Sequence, residues 1–186
     1  MKYLIILIGL PGSGKSTLAK KIIEMYACDF FSSEIIGAQI DCYQSVEEDR
    51  DFTSAKQEEI YEKLAHDVFL SLQTNNVVVE GVFRSNGQRE KIDAIYSRMK
   101  RIYGDLSYIK FWITCDAQIA IERVDMRKKQ GTVSPAGVNA FFKIREQFET
   151  PSKDERFIIV DNSVSLEDAF NKISTCINEG IRFPMK

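Results

Sequence analysis

Residues 9–16 read Gly-Leu-Pro-Gly-Ser-Gly-Lys-Ser, the pattern G-x-x-x-x-G-K-S, and Thr17 follows. An apolar run at residues 3–8 precedes the pattern, and Leu18, Ile22 and Tyr26 follow it at helical spacing. No other stretch constrains the fold so tightly. Glycines let the main chain curl until successive N–H groups point inward, and such a concavity fits anionic oxygens. A helix starting at Lys15 adds its positive dipole end. Lys15 supplies a compact cation for the β- and γ-phosphates of ATP, and the Ser16 hydroxyl suits Mg²⁺. Gly9, Gly12, Ser13, Gly14, Lys15, Ser16 and Thr17 are therefore the candidate nucleotide-binding residues.

The rest of the chain alternates in the same manner. Residues 3–8 are continuously apolar, as in a strand buried on both faces. Further strands are predicted near residues 30–32, 77–79, 106–114 and 157–160. Between them, Ile60, Leu64, Val68 and Leu72 recur four apart after a Ser54–Gln57 capping pattern. Ile92, Ile95, Met99 and Ile102 share one face of a helix over residues 88–102. Asp116 and Ser165 read as helix caps, Ser134-Pro135 as a cap with proline at the first helical position, and Gly180 as a helix stop. Strands alternating with about six helices predict an α/β fold. The expected form is a three-layer P-loop sandwich with a five-stranded parallel sheet, its ligand site at the carboxyl ends of the strands. The 186 residues fit one domain, 1–186.

Composition narrows the class. A formal net charge of −2 disfavours non-specific coating of nucleic acid. Four scattered cysteines without a Cys-x-x-Cys pair, and a single histidine, disfavour a zinc site and suit reduced thiols in the cytoplasm. The apolar run at residues 3–8 is too short for a signal peptide or a membrane span. A guanine-reading Asn-Lys-x-Asp is not found: the nearest string, Asn171-Lys172-Ile173-Ser174, lacks the aspartate.

From the glycine loop to residues 157–163, the chain resembles small P-loop kinases related to polynucleotide 5′-kinases and zeta toxins, with an AAA-type ATP-binding domain. Besides the loop, the resemblance rests on three patterns. Phe31-Ser32-Ser33-Glu34 follows the second strand, and Val77-Val78-Val79-Glu80-Gly81 forms the third. Arg123-x-x-x-Arg127 and residues 131–148 are similar to an arginine-bearing lid, placed at about 123–150. The resemblance implies an ATP- and Mg²⁺-dependent phosphotransferase acting on a hydroxyl of a nucleic-acid end, a nucleoside or a small metabolite. The alternative is a nucleotide-binding regulatory module without transfer to an acceptor.

The resemblance also implies an acid after the second strand that takes the hydroxyl proton, and Glu34 and Asp41 compete for that role. The arginine expected three residues later is not there, since Gly37 and Gln44 occupy those places, and Arg50 is a possible substitute. Glu80 ends a run of valines, where an acid is costly without a partner; it joins Ser16 as a candidate for holding Mg²⁺, through water, or else as a catalytic residue that orients the acceptor. Arg84 and Arg89 are expected to meet an anionic acceptor. In the resembling kinases, lid arginines at the places of Arg123 and Arg127 stabilise transition-state charge, alongside Lys15. Gly131 and Gly137 are candidate hinges. Phe141, Phe142 and Phe148 are expected to pack the lid against the core, and His66 to be exposed.

Overall fold

The computed structural model of the chain describes residues 2–40, 54–130 and 137–180. Strands β1 (Lys2–Ile8), β2 (Cys28–Ser32), β3 (Asn76–Gly81), β4 (Leu106–Thr114) and β5 (Ile158–Asp161) form one parallel sheet in the order β2-β3-β1-β4-β5. Among the described residues, seven α-helices connect and cover them: α1 (Lys15–Tyr26), α2 (Ser33–Gln39), α3 (Ser54–Ser71), α4 (Asn86–Tyr103), α5 (Ala117–Lys129), α6 (Val138–Gln147) and α7 (Leu166–Asn178). A 3-10 turn at Lys153–Glu155 precedes β5. This is the P-loop NTPase fold that the strand–helix alternation predicts.

Both faces of the central strand are covered, which explains why its sequence does not alternate. Leu4, Ile6 and Ile8 face Ile60, Leu64 and Val68 of α3 and Ile92 and Met99 of α4. Ile5 and Leu7 face Leu18 and Ile22 of α1 and Phe170 and Ile173 of α7. Each such side chain contributes roughly 1.5–3 kcal/mol through burial, so truncating Leu64 to alanine would cost about 2–5 kcal/mol. On β4, side chains alternate instead: Ile109, Phe111 and Ile113 are buried, while Tyr108, Lys110 and Trp112 are half-buried.

The register positions the site. Glu80 on β3 lies level with Leu7, and Trp112 on β4 lies level with Ile8. The loop after β1 therefore emerges between an acid on one neighbouring strand and an aromatic ring on the other.

Helix ends follow the sequence where caps were legible. Asp116 accepts from the backbone N–H groups of Gln118 and Ile119 at 2.8 and 3.3 Å, and Ser165 accepts from Asp168 at 3.1 Å. The helix over residues 88–102 starts slightly earlier, at Asn86, behind the cap Ser85. Helix α2 has no counterpart in the sequence reading: its seven residues are too few for periodicity to stand out. Asp41, Cys42, Gln44, Arg50, Gly131, Ser134 and Pro135, and the Ser54 side chain, lie outside the described residues. Among the described residues, no helix is long and apolar enough to cross a membrane.

Candidate functional site

The bend between β1 and α1 is held by contacts that leave no room for side chains. Gly12 and Gly14 sit at φ 80° and 91°, in the region that favours glycine. A Cβ at Gly12 would collide with the backbone of Ala120 on α5, and one at Gly14 with the side-chain amide of Asn162. Ser13 is buried, and its N–H donates to the Leu10 carbonyl at 3.2 Å. Thr17 is exposed on the first turn of α1.

Lys15 is only 8% exposed, and its ammonium donates to the Leu10 carbonyl at 2.9 Å. Burial pushes its pKa below the ordinary lysine value. The charges of Glu80 and Glu34 oppose that shift, and Arg127 adds to it. These four charged groups thus share one field. Glu80 is 5% exposed at the carboxyl end of β3, and both its carboxylate oxygens accept from the Ser16 hydroxyl, at 3.0 and 2.9 Å. A buried carboxylate beside a hydroxyl supplies hard oxygen donors of the kind that Mg²⁺ takes alongside phosphate oxygens. Glu34 is half-buried in the first turn of α2, directly after β2. Of the two competing acids, Glu34 is thus the one within the described structure, and Asp41 lies outside it.

The two arginines of α5 take different positions. Arg123 turns beneath the loop, its guanidinium donating to the carbonyls of Gly12 at 3.4 Å and Asn162 at 3.1 Å. Arg127 lies one turn on, close enough to Lys15 to act on its charge. Asn162 directly follows β5. It is 2% exposed, and its amide donates to the Ser13 carbonyl at 2.8 Å. The chain after β5 therefore props the loop from below. Its place directly after the last strand was the one available signal.

Arg89 departs from expectation. It does not face an acceptor: it is 2% exposed, and its guanidinium binds both carboxylate oxygens of Glu155 and the carbonyls of Phe83 and Glu149. The backbone N–H of Glu149 donates to the Arg84 carbonyl at 2.7 Å, and its carboxylate accepts from the backbone of Asn86. Residues 149–155 are thereby strapped to the start of α4. The Arg84 guanidinium reaches Gln147 on α6. Between them, Phe83 holds φ 47°, and its N–H donates to the buried Tyr61 hydroxyl at 3.1 Å. That strained, fully buried residue fixes where the chain leaves β3.

Of the aromatic residues after α5, Phe141 is buried and Phe148 stacks on Trp112 with centroids 6.2 Å apart. Phe142 does not pack inward as expected and is 45% exposed. His66 is exposed, as expected. Cys28, Cys115 and Cys176 are free thiols.

A family model described as an AAA domain matches residues 4–151. No curated protein matches the chain. Among solved structures, a sugar kinase from a Janibacter species is 14% identical with a TM-score of 0.72, over 96% of this chain and 95% of that one. Kti12 from Chaetomium thermophilum, in complex with ADP-AlF3, is 16% identical with a TM-score of 0.71, over 97% and 100%. The APS kinase CysC from Mycobacterium tuberculosis, in complex with AMPPNP and APS, is 16% identical with a TM-score of 0.63, over 95% and 98%. At these identities the likeness is one of fold, and that fold is kinase-like.

Proposed function

The chain belongs to the AAA-domain family, and we propose that within it the protein is an ATP- and Mg²⁺-dependent kinase that passes the γ-phosphoryl group to a hydroxyl. One observation carries this reading: the Lys15 ammonium and the Ser16–Glu80 pair are gathered at the mouth of the glycine loop, with Glu34 close enough to act on the same charge. The similarity in fold to a sugar kinase and an APS kinase supports it.

In this mechanism the loop amides and Lys15 hold the triphosphate. Ser16 and Glu80 would hold Mg²⁺, which when bound neutralises charge on the phosphates. The acceptor oxygen forms a bond to the γ-phosphorus, the bond to the β–γ bridging oxygen breaks, and ADP leaves. Glu34 takes the hydroxyl proton, with Asp41 as its competitor. Arg127 stabilises charge on the moving group, while Arg123 acts by fixing the loop. Residues 123–150 act as a lid over the phosphates, within one unit spanning residues 1–186. The reading also places the protein in the cytoplasm, with its thiols reduced. The acceptor belongs to one of three classes: a nucleic-acid end, a nucleoside or a small metabolite.

A nucleotide-binding module without transfer is the second reading. It is favoured by the fact that Arg89, an expected acceptor contact, is occupied by Glu155. Labelled ATP separates the two. A kinase transfers label to a member of a hydroxyl-compound panel, and a module transfers none. Lys15→Ala should abolish ATP binding by calorimetry, and unchanged binding would overturn the seat. Of Glu34→Gln and Asp41→Asn, one should lower turnover at least about a hundredfold. If neither does, neither is the base.

A further inference from the structure

A cavity of about 330 Å³ opens beside the glycine loop on the side away from Glu80. Leu10 and Ser13 form its floor, the end of β4 from Trp112 to Thr114 with the following Cys115 one wall, and Phe141 and Arg145 of α6 the other. Phe148 closes it against Trp112. Leu10 is the residue whose carbonyl receives the Lys15 ammonium, so the cavity adjoins the γ-phosphate end of the seat. Residues 161–163, at the end of β5 and just past it, do not line it.

Its chemistry is selective. Phe141 and Arg145 lie four apart and share a face of α6, so a ring and a guanidinium point the same way. Arg145 is the one charged residue in the lining, and among the described residues nothing pairs with it. Around it stand three aromatic rings and few polar groups: the hydroxyls of Ser13 and Thr114, the Cys115 thiol and the Trp112 indole N–H. A polyol sugar would bring more hydroxyls than this lining can satisfy, and each unmet one is costly. A flat ring packs well on aromatic walls, and a single anionic group matches a single guanidinium. The volume lies at the small end for ligand cavities, enough for one or two rings.

We infer that this cavity is a ligand-binding site beside the nucleotide seat, and that its ligand is built on a flat unsaturated ring with an anionic group for Arg145. Binding there is independent of the kinase reading and is tested without turnover.

Trp112 is the chain's one tryptophan, so its fluorescence reports directly on the cavity. The full chain, saturated with AMPPNP, is titrated with 4-(hydroxymethyl)benzoate, with benzyl alcohol and with gluconate. The ring acid should change the signal saturably, benzyl alcohol should bind about tenfold more weakly, and gluconate should leave it unchanged. Arg145→Gln, at an exposed position, should weaken the ring acid about tenfold without affecting benzyl alcohol. The inference is overturned if gluconate binds as well as the ring acid, if Arg145→Gln changes nothing, or if no acid gives a saturable response. It is also overturned if AMPPNP alone blocks the ring acid, since the cavity would then be the nucleotide's own base pocket. Binding of the ring acid without transfer of label to any member of the hydroxyl-compound panel would leave the cavity a ligand site and count against the kinase reading alone.

Discussion

Around residues 9–17 the seat takes its shape from main chain, whereas the cavity beneath α6 takes its shape from side chains. The seat comes from one continuous stretch, braced by Ala120, Arg123 and Asn162. The cavity draws on the loop, β4, α5, α6 and Phe148. Amides presented by a bend are the same in any chain that can make the bend, so they suit a ligand common to many enzymes. Side chains drawn from five places can be exchanged one at a time, so they suit a ligand particular to one enzyme. Within one site, the shared chemistry is coded by backbone and the individual chemistry by packing.

The largest effect should come from forcing a side chain into the backbone-coded part. Gly12→Ala places a Cβ against Ala120 at a left-handed φ, and should raise the ATP dissociation constant at least about a hundredfold by calorimetry. Ring-acid binding should change far less. Loss of both together would show that the two regions are one unit and end the comparison.

Next comes the strap that frames the side-chain-coded part. Arg89→Ala leaves Glu155 without its partner in a largely buried pair, and should cost about 3–5 kcal/mol in denaturant unfolding. Replacing both, as Arg89→Met with Glu155→Leu, should restore most of it. A cost below about 1 kcal/mol for Arg89→Ala would mean that the strap does not hold the region together.

The sequence was informative in proportion to how local each feature is. The glycine loop, the five strands and the caps at Asp116 and Ser165 are set within a few residues, and all could be read. Helix α2 was missed because Ile35 and Ile36 lie within a single turn or two, with Gly37 beside them. Arg89 was read as an acceptor contact because it stands at a helix start just past β3, and its actual partner Glu155 lies 66 residues away. The spacing of Arg123 and Arg127 was legible, but not that Arg123 would turn under the loop while Arg127 lies close enough to act on the charge of Lys15. That depends on where β5 delivers Asn162, which no local pattern encodes.

A smaller effect tests that brace. Asn162→Ala removes the amide on the Ser13 carbonyl and should cost about 1–3 kcal/mol of stability, with the KM for ATP rising more than kcat falls. Equal loss in both would place Asn162 in the chemical step rather than in holding the seat.

The smallest serves as a control at the opposite rim of the sheet. Hydrogen bonds from Ser71 and Asn75 hold the Asp29 carboxyl below its ordinary pKa. Its contribution is present above the unfolded-state value of about 3.9 and is lost as pH falls through the lower folded value. Asp29→Asn should flatten the acid limb of a stability–pH curve by well under 1 kcal/mol and leave both ligands' affinities unchanged. A change in either affinity would show that the far rim reaches the site.

Strand β1 has two neighbours on each side in the sheet and a helical layer on each face. Its amide protons can meet solvent only when the whole molecule opens, so exchange at Leu4–Ile8 should be the slowest in the chain. Because the phosphate loop is the direct continuation of that strand, bound nucleotide should slow this exchange by the full free energy of binding. The middle of the sheet thus becomes a gauge of occupancy at its end.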